Sequence, residues 1–441
     1  MAASGIASSG DQSQRQLLTE LFTAVMHNDV EALQNAVSQG ANINYIFMSE
    51  PDESGFFQTT VLIFCCQKGY LDCVKILLDA GADPEIGAKW GKTALMTAVM
   101  TQWHDIIALL IERGARVNVK DEKGKCVLSY AADNSDEVSV KMLLDAGAYI
   151  ENRDMHGLLP LHVAATVYGS EGCLQMMLEN NRDKVDAMDN GRKTPLQHAV
   201  ISGSLECMAI LLEAGASPNV FDHHEYTPLM NCISMHIQYP DCNGFYEKIQ
   251  LLLQFGCDVN LQSKTSGRTA VHMVVGKYQT CTQMMQLLMR VGGDVNVKDK
   301  EGSTPLMLSL MSNNKAATRQ LIYENCKMDT RSLDIAVLKG MTDMASLLFT
   351  AGSEFDREKY HKKFETNPRF MHDRPEMYSL LQYNLTTCFS LIDHCRRAIR
   401  QAVGQGLPLK ILEVGLPKSL INYALMKEEF DDDADLYSPV A

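Results

Sequence analysis

The chain has 441 residues, of which 46% are apolar and 21% are charged, an ordinary composition for a folded protein. Forty Lys and Arg residues against fifty-four Asp and Glu residues give a net charge of −14, which excludes a general nucleic-acid-binding protein because a phosphate backbone would be repelled. The first residues lack a signal-peptide pattern, and no apolar run approaches the roughly 18 residues that span a bilayer. We therefore expect a protein that is neither secreted nor membrane-spanning.

The cysteine pattern indicates a reducing compartment. Thirteen cysteines without a secretion signal are expected to be buried thiols, and the expected location is cytoplasmic, with the nucleus as an alternative. No Cys-x-x-Cys pair occurs, and the adjacent His223 and His224 have no further ligands at a fixed spacing, so no metal site is expected. No phosphate loop or nucleophile elbow is present, which predicts no catalytic residues and no cofactor.

A tail over residues 1–16, expected to be disordered, precedes a long repetitive region. Short strings similar to Thr-Pro-Leu-His recur with apolar anchors spaced mostly 33 residues apart, at Leu62, Leu95, Leu128, Leu161, Leu196, Leu229, Val271 and Leu306. A second string, Gly-Ala, follows about 19 residues after several of these anchors, as at Gly81, Gly114, Gly147 and Gly215. Two strings with one period predict a repeated structural unit.

The residue types in the two strings predict a pair of helices in each unit. Thr caps a first helix, Pro fits its first turn, and Gly adopts the left-handed conformation that ends a second helix. The pattern resembles the ankyrin-repeat family over residues 17–354. The resemblance implies an all-α solenoid of about ten repeats, in which His162 and His272 hold neighbouring loops together.

Aromatic residues stand out along the hairpins between repeats. Trp90 occupies a hairpin tip, and Phe221, His223, His224 and Tyr226 follow further along the same edge. An insert over residues 45–57 adds Tyr45, Phe47, Phe56 and Phe57. Exposed aromatic residues dominate interface energies, so these are candidate substrate-binding residues. The alternative is that the rings fold over neighbouring hairpins and stabilise the repeats.

Three hairpin asparagines, Asn118, Asn260 and Asn296, each follow a leucine by eight residues. This spacing resembles that of ankyrin asparagines modified by an oxygen-sensing hydroxylase, which makes them hydroxylation candidates. The alternative is that they only tie down the turns.

The period stops after Gly352. A polar linker over residues 355–378 is predicted to lead into a separate module over 379–426, followed by an acidic tail over 427–441. In that module Leu391, Cys395 and Ile399 lie four residues apart on one predicted helical face. Seventeen residues after Ile399 the chain reads Leu416-Pro417, with Leu420 and Tyr423 beyond.

The pair of motifs resembles a SOCS box. The resemblance implies that Leu391, Cys395 and Ile399 bind elongin C, and that Leu416, Pro417, Leu420 and Tyr423 bind a cullin. By resemblance the partners are elongin B, elongin C, Cullin-5 and a RING-box protein, and the chain is a non-catalytic substrate receptor of a ubiquitin ligase. Val414-Gly415 replaces the usual Leu-Pro of the cullin motif, so the alternative is a scaffold that recruits no cullin.

Overall fold

The structure is a computed structural model that describes residues 9–48, 58–179, 181–238, 244–276, 282–324, 326–353, 356, 359–360, 362 and 373–386. Within these residues the repetitive region forms ten pairs of helices, each pair joined to the next by a loop. The predicted all-α fold of ten repeats is confirmed. No helix of the described residues is long and apolar enough to cross a membrane.

The first helices of the ten repeats are α1 (Ser9–Met26), α3 (Val61–Lys68), α5 (Ala94–Met100), α7 (Val127–Asp133), α9 (Pro160–Thr166), α11 (Pro195–Ser202), α13 (Pro228–Gln238), α15 (Ala270–Val275), α17 (Pro305–Met311) and α19 (Thr330–Lys339). The second helices are α2 (Val30–Ser38), α4 (Leu71–Asp79), α6 (His104–Glu112), α8 (Glu137–Asp145), α10 (Glu171–Glu179), α12 (Leu205–Glu213), α14 (Phe245–Gln254), α16 (Thr282–Arg290), α18 (Lys315–Tyr323) and α20 (Thr342–Thr350). Two short antiparallel strands pair here: β1 (Phe47–Met48) lies within the insert of the first repeat, and β2 (Gln58–Thr59) directly follows it.

The repeated residue types act at the helix ends as their chemistry predicts. The side chains of Thr60, Thr93 and Thr194 accept hydrogen bonds from the amide three residues later, at 3.2 to 3.4 Å. Gly114 ends the second helix of its repeat with a φ of +82°, and its amide donates to the carbonyl of Ile111. A side chain would be strained at this φ, which explains why glycine recurs there.

The chain divides into two compact units, residues 1–231 with 247–256, and residues 232–246 with 257–441. In the first unit the first helices α7, α9 and α11 pack in series, as do the second helices α6, α8, α10 and α12. In the second unit α15, α17 and α19 pack in series, beside α16, α18 and α20. Each repeat therefore buries its apolar face only by stacking on its neighbours.

The structure differs from the predicted domain boundaries at two places. Helix α1 begins at Ser9 and thus includes residues 9–16 of the predicted tail. A further helix, α21 (Pro375–Thr386), crosses the predicted boundary between residues 378 and 379 and packs on α20. Buried Tyr360 also donates a hydrogen bond of 2.7 Å to Asp334, so part of the predicted linker is held against the last repeat.

The histidine of the repeated motif joins one repeat to the next. His162 is fully buried, and its Nδ1 accepts a hydrogen bond from the Leu159 amide at 3.1 Å. Its Nε2 lies 2.9 Å from the Ala187 carbonyl and 3.2 Å from the Lys193 carbonyl, both in the following hairpin. Burial lowers the pKa of His162 to about 4, so the ring is neutral at pH 7.

Glutamine fills the same position in the next repeat and makes the same connections. The Oε1 of Gln197 accepts from the Thr194 amide at 2.9 Å, and its Nε2 donates to the carbonyls of Val220 and Tyr226. This position of the repeat therefore requires a side chain with one hydrogen-bond acceptor and one hydrogen-bond donor at a fixed separation. It does not require a titratable ring, as expected for a structural role of His162.

We predict that His162→Gln keeps the stability of the protein at pH 7 and reduces its loss in acid. The pKa of His162 is lower in the folded than in the unfolded chain, so the wild-type histidine takes up a proton on unfolding as the pH falls from 6.5 towards 4. At pH 5 this proton costs the wild type about 2 kcal/mol of the free energy of unfolding, and the variant avoids that cost. Urea unfolding midpoints measured from pH 7 to pH 5 test this. Parallel pH profiles for the two proteins would contradict the assigned protonation of His162.

Candidate protein-binding surface

A series of hydrogen bonds connects the hairpin tips of the first unit. The amide of Glu122 donates to the carbonyl of Trp90 at 3.0 Å, and the amide of Met155 donates to the carbonyl of Lys123 at 2.8 Å. Equivalent bonds run from Asn190 to His156 and from His223 to Gly191. These bonds fix the backbone spacing of adjacent tips, while their side chains are free to vary.

An aspartate closes most of these tips. Oδ1 of buried Asp121 accepts from the amides of Lys123 and Lys125 at 2.9 and 2.8 Å. Asp154, Asp189 and Asp222 accept amide hydrogen bonds in the same manner. Each tip therefore contains a carboxylate that the turn itself uses.

The tip of the third repeat departs from this pattern. Ala88 stands where its neighbours have aspartate, since its amide donates to the Lys92 carbonyl just as that of Asp121 donates to Lys125. At the same tip Trp90 has a φ of +67°, a conformation that bulky residues rarely adopt. Its side chain is 52% exposed. This tip thus combines a strained, exposed aromatic ring with the loss of the usual carboxylate.

Lysines surround this tip. The ammonium groups of Lys89 and Lys123 lie 5.7 and 5.8 Å from the centre of a Trp90 ring. Those of Lys92 and Lys125 lie 5.3 and 4.4 Å from the ring of Tyr130. We call these four residues the lysine cluster. Partial burial lowers the pKa of Lys92, and the charges of Lys125 and Lys123 add to this lowering although Asp121 opposes it.

The other predicted aromatic residues are less uniformly exposed. His223 and His224 are exposed with ring centres 3.6 Å apart, and Nδ1 of His223 lies 2.9 Å from the Gly191 carbonyl. Phe221 and Tyr226 are half-buried. In the first repeat Phe47 stacks on Phe22 at 4.8 Å, while Tyr45 stays 44% exposed; Phe56 and Phe57 lie outside the described residues. Some of these rings therefore stabilise the repeats, as the alternative predicted.

The three hydroxylation candidates link successive hairpins. Nδ2 of Asn118 donates to the Gly147 carbonyl at 3.0 Å, and its Oδ1 accepts from the Tyr149 amide at 2.7 Å. Asn260 makes the same two bonds to Gly292 and Asp294, and Asn296 accepts from the Lys327 amide at 2.6 Å. These contacts agree with a structural role. Hydroxylation of the three residues stays a prediction.

A groove that was not predicted from the sequence lies at the base of two hairpins in the first unit. Its volume is about 520 Å³, and its lining includes Ile111, Arg116, Val119 and Tyr149. Tyr149 is 64% exposed and occupies the position at which Asp258 and Asp294 accept hydrogen bonds from the amide two residues later. When the Gly-Ala strings of the repeats are aligned, Tyr149 stands where these two other repeats have an aspartate.

The structure does not describe the residues that are predicted to bind the ligase subunits. Leu391, Cys395 and Ile399, and likewise Leu416, Pro417, Leu420 and Tyr423, lie outside the described residues. Within the described part of the chain, no group of three or more His, Cys, Asp or Glu residues could hold a metal ion. Cys257 is half-buried and the other described cysteines are buried thiols.

Comparisons with curated proteins find similarity over parts of the chain. The chain is 28% identical over 175 residues to a protein named Probable E3 ubiquitin-protein ligase XBOS33 from Oryza sativa subsp. japonica, covering 37% of this chain and 32% of that protein. It is 28% identical over 221 residues to the nuclear factor NF-kappa-B p105 subunit of Gallus gallus, covering 44% and 20%. It is 29% identical over 159 residues to inversin of Homo sapiens, covering 36% and 14%. The chain thus spans a third or less of the length of these relatives.

A family model described as ankyrin repeats (3 copies) matches residues 62–154, 161–242, 235–332 and 273–359. These matches cover more than half of the chain and coincide with the helix pairs and hairpins described above. They end before the module predicted over residues 379–426. The chain belongs to the ankyrin-repeat family, whose repeats bind other proteins.

Proposed function

We propose that this protein is the substrate-recognition subunit of a cullin–RING ubiquitin ligase. Its ankyrin repeats bind the target protein, and residues 379–426 recruit elongin B, elongin C, Cullin-5 and a RING-box protein. The observation that carries the proposal is the pair of motifs at Leu391-Cys395-Ile399 and Leu416-Pro417, which follow an ankyrin array at the spacing of a SOCS box. The rice relative is named a probable E3 ubiquitin-protein ligase, which is compatible with this assignment.

The hairpin edge of the first unit supports the target-binding half of the proposal. Its tips have a backbone spacing fixed by hydrogen bonds, and exposed Trp90, Met155, His223 and His224 project from them. A rigid backbone with variable, partly apolar side chains loses little entropy on binding. This edge therefore suits recognition of a protein.

The contribution of such a subunit to ubiquitin transfer is proximity. A target held beside the ubiquitin-charged enzyme presents its lysines at a high effective concentration, so the receptor needs no reactive group of its own. His162 is compatible with this, since it is buried and bonded to backbone groups. We place the complex in the cytoplasm, where buried free thiols such as Cys65 and Cys66 persist.

A second candidate function is an ankyrin scaffold that binds elongins or other proteins without recruiting a cullin. Gly415 favours it, because glycine leaves flexible a backbone that proline would restrict before Leu416-Pro417. Recovery of elongins without Cullin-5 from cells would support the scaffold. Recovery of both, together with proteins that accumulate when the proteasome is inhibited, would support the ligase subunit.

We predict that Leu391→Pro with Cys395→Phe abolishes recovery of elongins B and C. Proline breaks the predicted helix, and phenylalanine overfills its narrow apolar face. Affinity purification from cells measures the loss, and an unchanged melting temperature shows that the repeats stay folded. His394→Phe adds the same ring one position away from the stripe and serves as the matched control for Cys395→Phe. Wild-type elongin levels with the double variant would refute the assignment of these residues.

We also predict that Trp90→Ala with Phe221→Ala lowers recovery of the proteins that accumulate on proteasome inhibition, and does so severalfold. Truncating an aromatic residue that dominates an interface costs about 2 kcal/mol or more of the binding free energy. Elongin recovery should be unchanged, and the melting temperature should stay within about 3 °C of wild type. Tyr168→Ala is the control, since Tyr168 is 84% exposed on a turn between two helices of a repeat. A larger thermal loss, or an intact set of partners, would show that the two rings are structural.

A further inference from the structure

Two consecutive hairpins lack a hydrogen bond that other hairpins of the protein make. Where a second helix ends on a left-handed glycine, the residue two positions later usually accepts a hydrogen bond from the amide two residues further on. The residues that do so are Asn42, Asp83, Ser217, Asp258 and Asp294. In the hairpins after α6 and α8 this position is held by Arg116 and Tyr149, whose side chains accept no such bond.

Both exceptions line the groove of about 520 Å³ at the base of these hairpins. Its apolar walls include Ile111, Val117 and Val119. The side chain of Tyr149 is 64% exposed, so it gains little from burial in the fold. The two hairpins that give up the local hydrogen bond are therefore the two that form this concave surface.

The arginines beside the groove are already neutralised. Nε of Arg116 lies 3.1 Å from a carboxylate oxygen of Glu85, and the other oxygen of Glu85 accepts from the Arg116 amide at 2.8 Å. Arg113 pairs with Asp79 on the preceding second helix. These contacts leave no unpaired arginine at the α6 side of the groove, so its charge is set by the neighbouring acids.

Two carboxylates at the groove are unpaired. Glu112 and Asp145 are the last residues of α6 and α8, next in sequence to the groove residues Ile111 and Ala146. Both are exposed, and within the part of the chain that the structure describes neither forms an ion pair, although Lys141 lies one turn before Asp145. The C-terminal ends of the two helices add partial negative charge. The groove therefore matches a cation that has an apolar neighbour.

We propose that this groove binds a segment of a protein partner in which arginines flank an apolar side chain. The arginines pair with Glu112 and Asp145, and one guanidinium stacks on the exposed Tyr149 ring. The apolar side chain lies between Ile111 and Val119. This inference rests on protein binding by the ankyrin repeats, as in the proposed function, and gives the class of the bound segment. It does not depend on the ligase subunits.

The test measures binding of a fluorescein-labelled peptide in which two Arg flank one Leu among Gly and Ser residues, by fluorescence anisotropy with the full chain. We expect saturable binding that weakens as salt is added. Replacing both Arg by citrulline, which keeps the shape of the side chain without its charge, should weaken binding about tenfold or more. Replacing Leu by Ala should weaken it severalfold. Wild-type protein that does not bind the peptide, or binds the citrulline peptide equally well, would overturn the proposal.

Tyr149→Ser separates binding from folding. Serine accepts the missing hydrogen bond in the hairpin after α12, where Ser217 bonds the Asn219 amide at 3.4 Å. The variant should therefore keep its melting temperature within about 3 °C of wild type and still lose affinity about tenfold. Tyr168→Ser makes the same change at a tyrosine outside the groove that is 84% exposed, and it should bind like wild type. Wild-type affinity of Tyr149→Ser would exclude contact with the ring and overturn the proposal.

Glu112→Gln with Asp145→Asn tests the charges. The pair should reduce the affinity about tenfold or more without lowering the melting temperature, because a carboxylate at the C-terminal end of a helix is unfavourable. The control is Glu179→Gln with Glu213→Gln, an equal charge change at the last residues of α10 and α12. Equal losses for the two pairs would mean that only the net charge matters, which would overturn the proposal. No ligase subunit is present, so failure of elongin recruitment in cells would leave these measurements intact.

Discussion

The hydrogen bonding of loop backbone between successive repeats is the constraint on which the rest of the structure depends. A repeat of two short helices and a hairpin leaves many loop amides and carbonyls near the protein interior, where each unpaired group costs free energy. His162 and Gln197 satisfy carbonyls of the following hairpin, and Asn118 satisfies a carbonyl and an amide. The partners lie about one repeat apart in sequence, so the spacing of the repeats follows from these bonds.

This arrangement separates the residues that hold the fold from those that can recognise a partner. At the tips, the bond from Glu122 to Trp90 joins backbone to backbone, and Asp121 takes its hydrogen bonds on the inner side of the turn. The side chain at the outer position of a tip takes part neither in the backbone bond between tips nor in the hydrogen bonds of the aspartate. The structure therefore tolerates Trp90, Lys123 and His156 at equivalent positions of three successive repeats. Recognition can change from repeat to repeat without a change in stacking.

The sequence predicted the repeats well because their signals are local. A threonine cap at Thr93 and a left-handed glycine at Gly114 act through neighbours within a few residues, so their spacing indicates helix ends directly. The boundary at residue 378 was less predictable. The polar composition of residues 355–378 predicted a linker, but Pro375 begins α21, and Met377 and Leu381 are buried. Packing on α20 decided that boundary, and no local signal reports it.

The candidate surface was predictable only in part, for the same reason. The exposure of Trp90 followed from its place in a turn, whereas Lys89 and Lys123 come from two repeats and meet at its ring only once the tips are stacked. The hydrogen bonds from Gly91 to Ala88 and from Glu122 to Trp90 hold the turn closed on both sides. These hydrogen bonds offset the cost of about 1 to 2 kcal/mol for placing a non-glycine residue in the left-handed conformation. Gly124 corresponds to Gly91, and the fourth repeat makes its turn with this one left-handed residue, so the positive φ of Trp90 is an addition that the hairpin itself does not require.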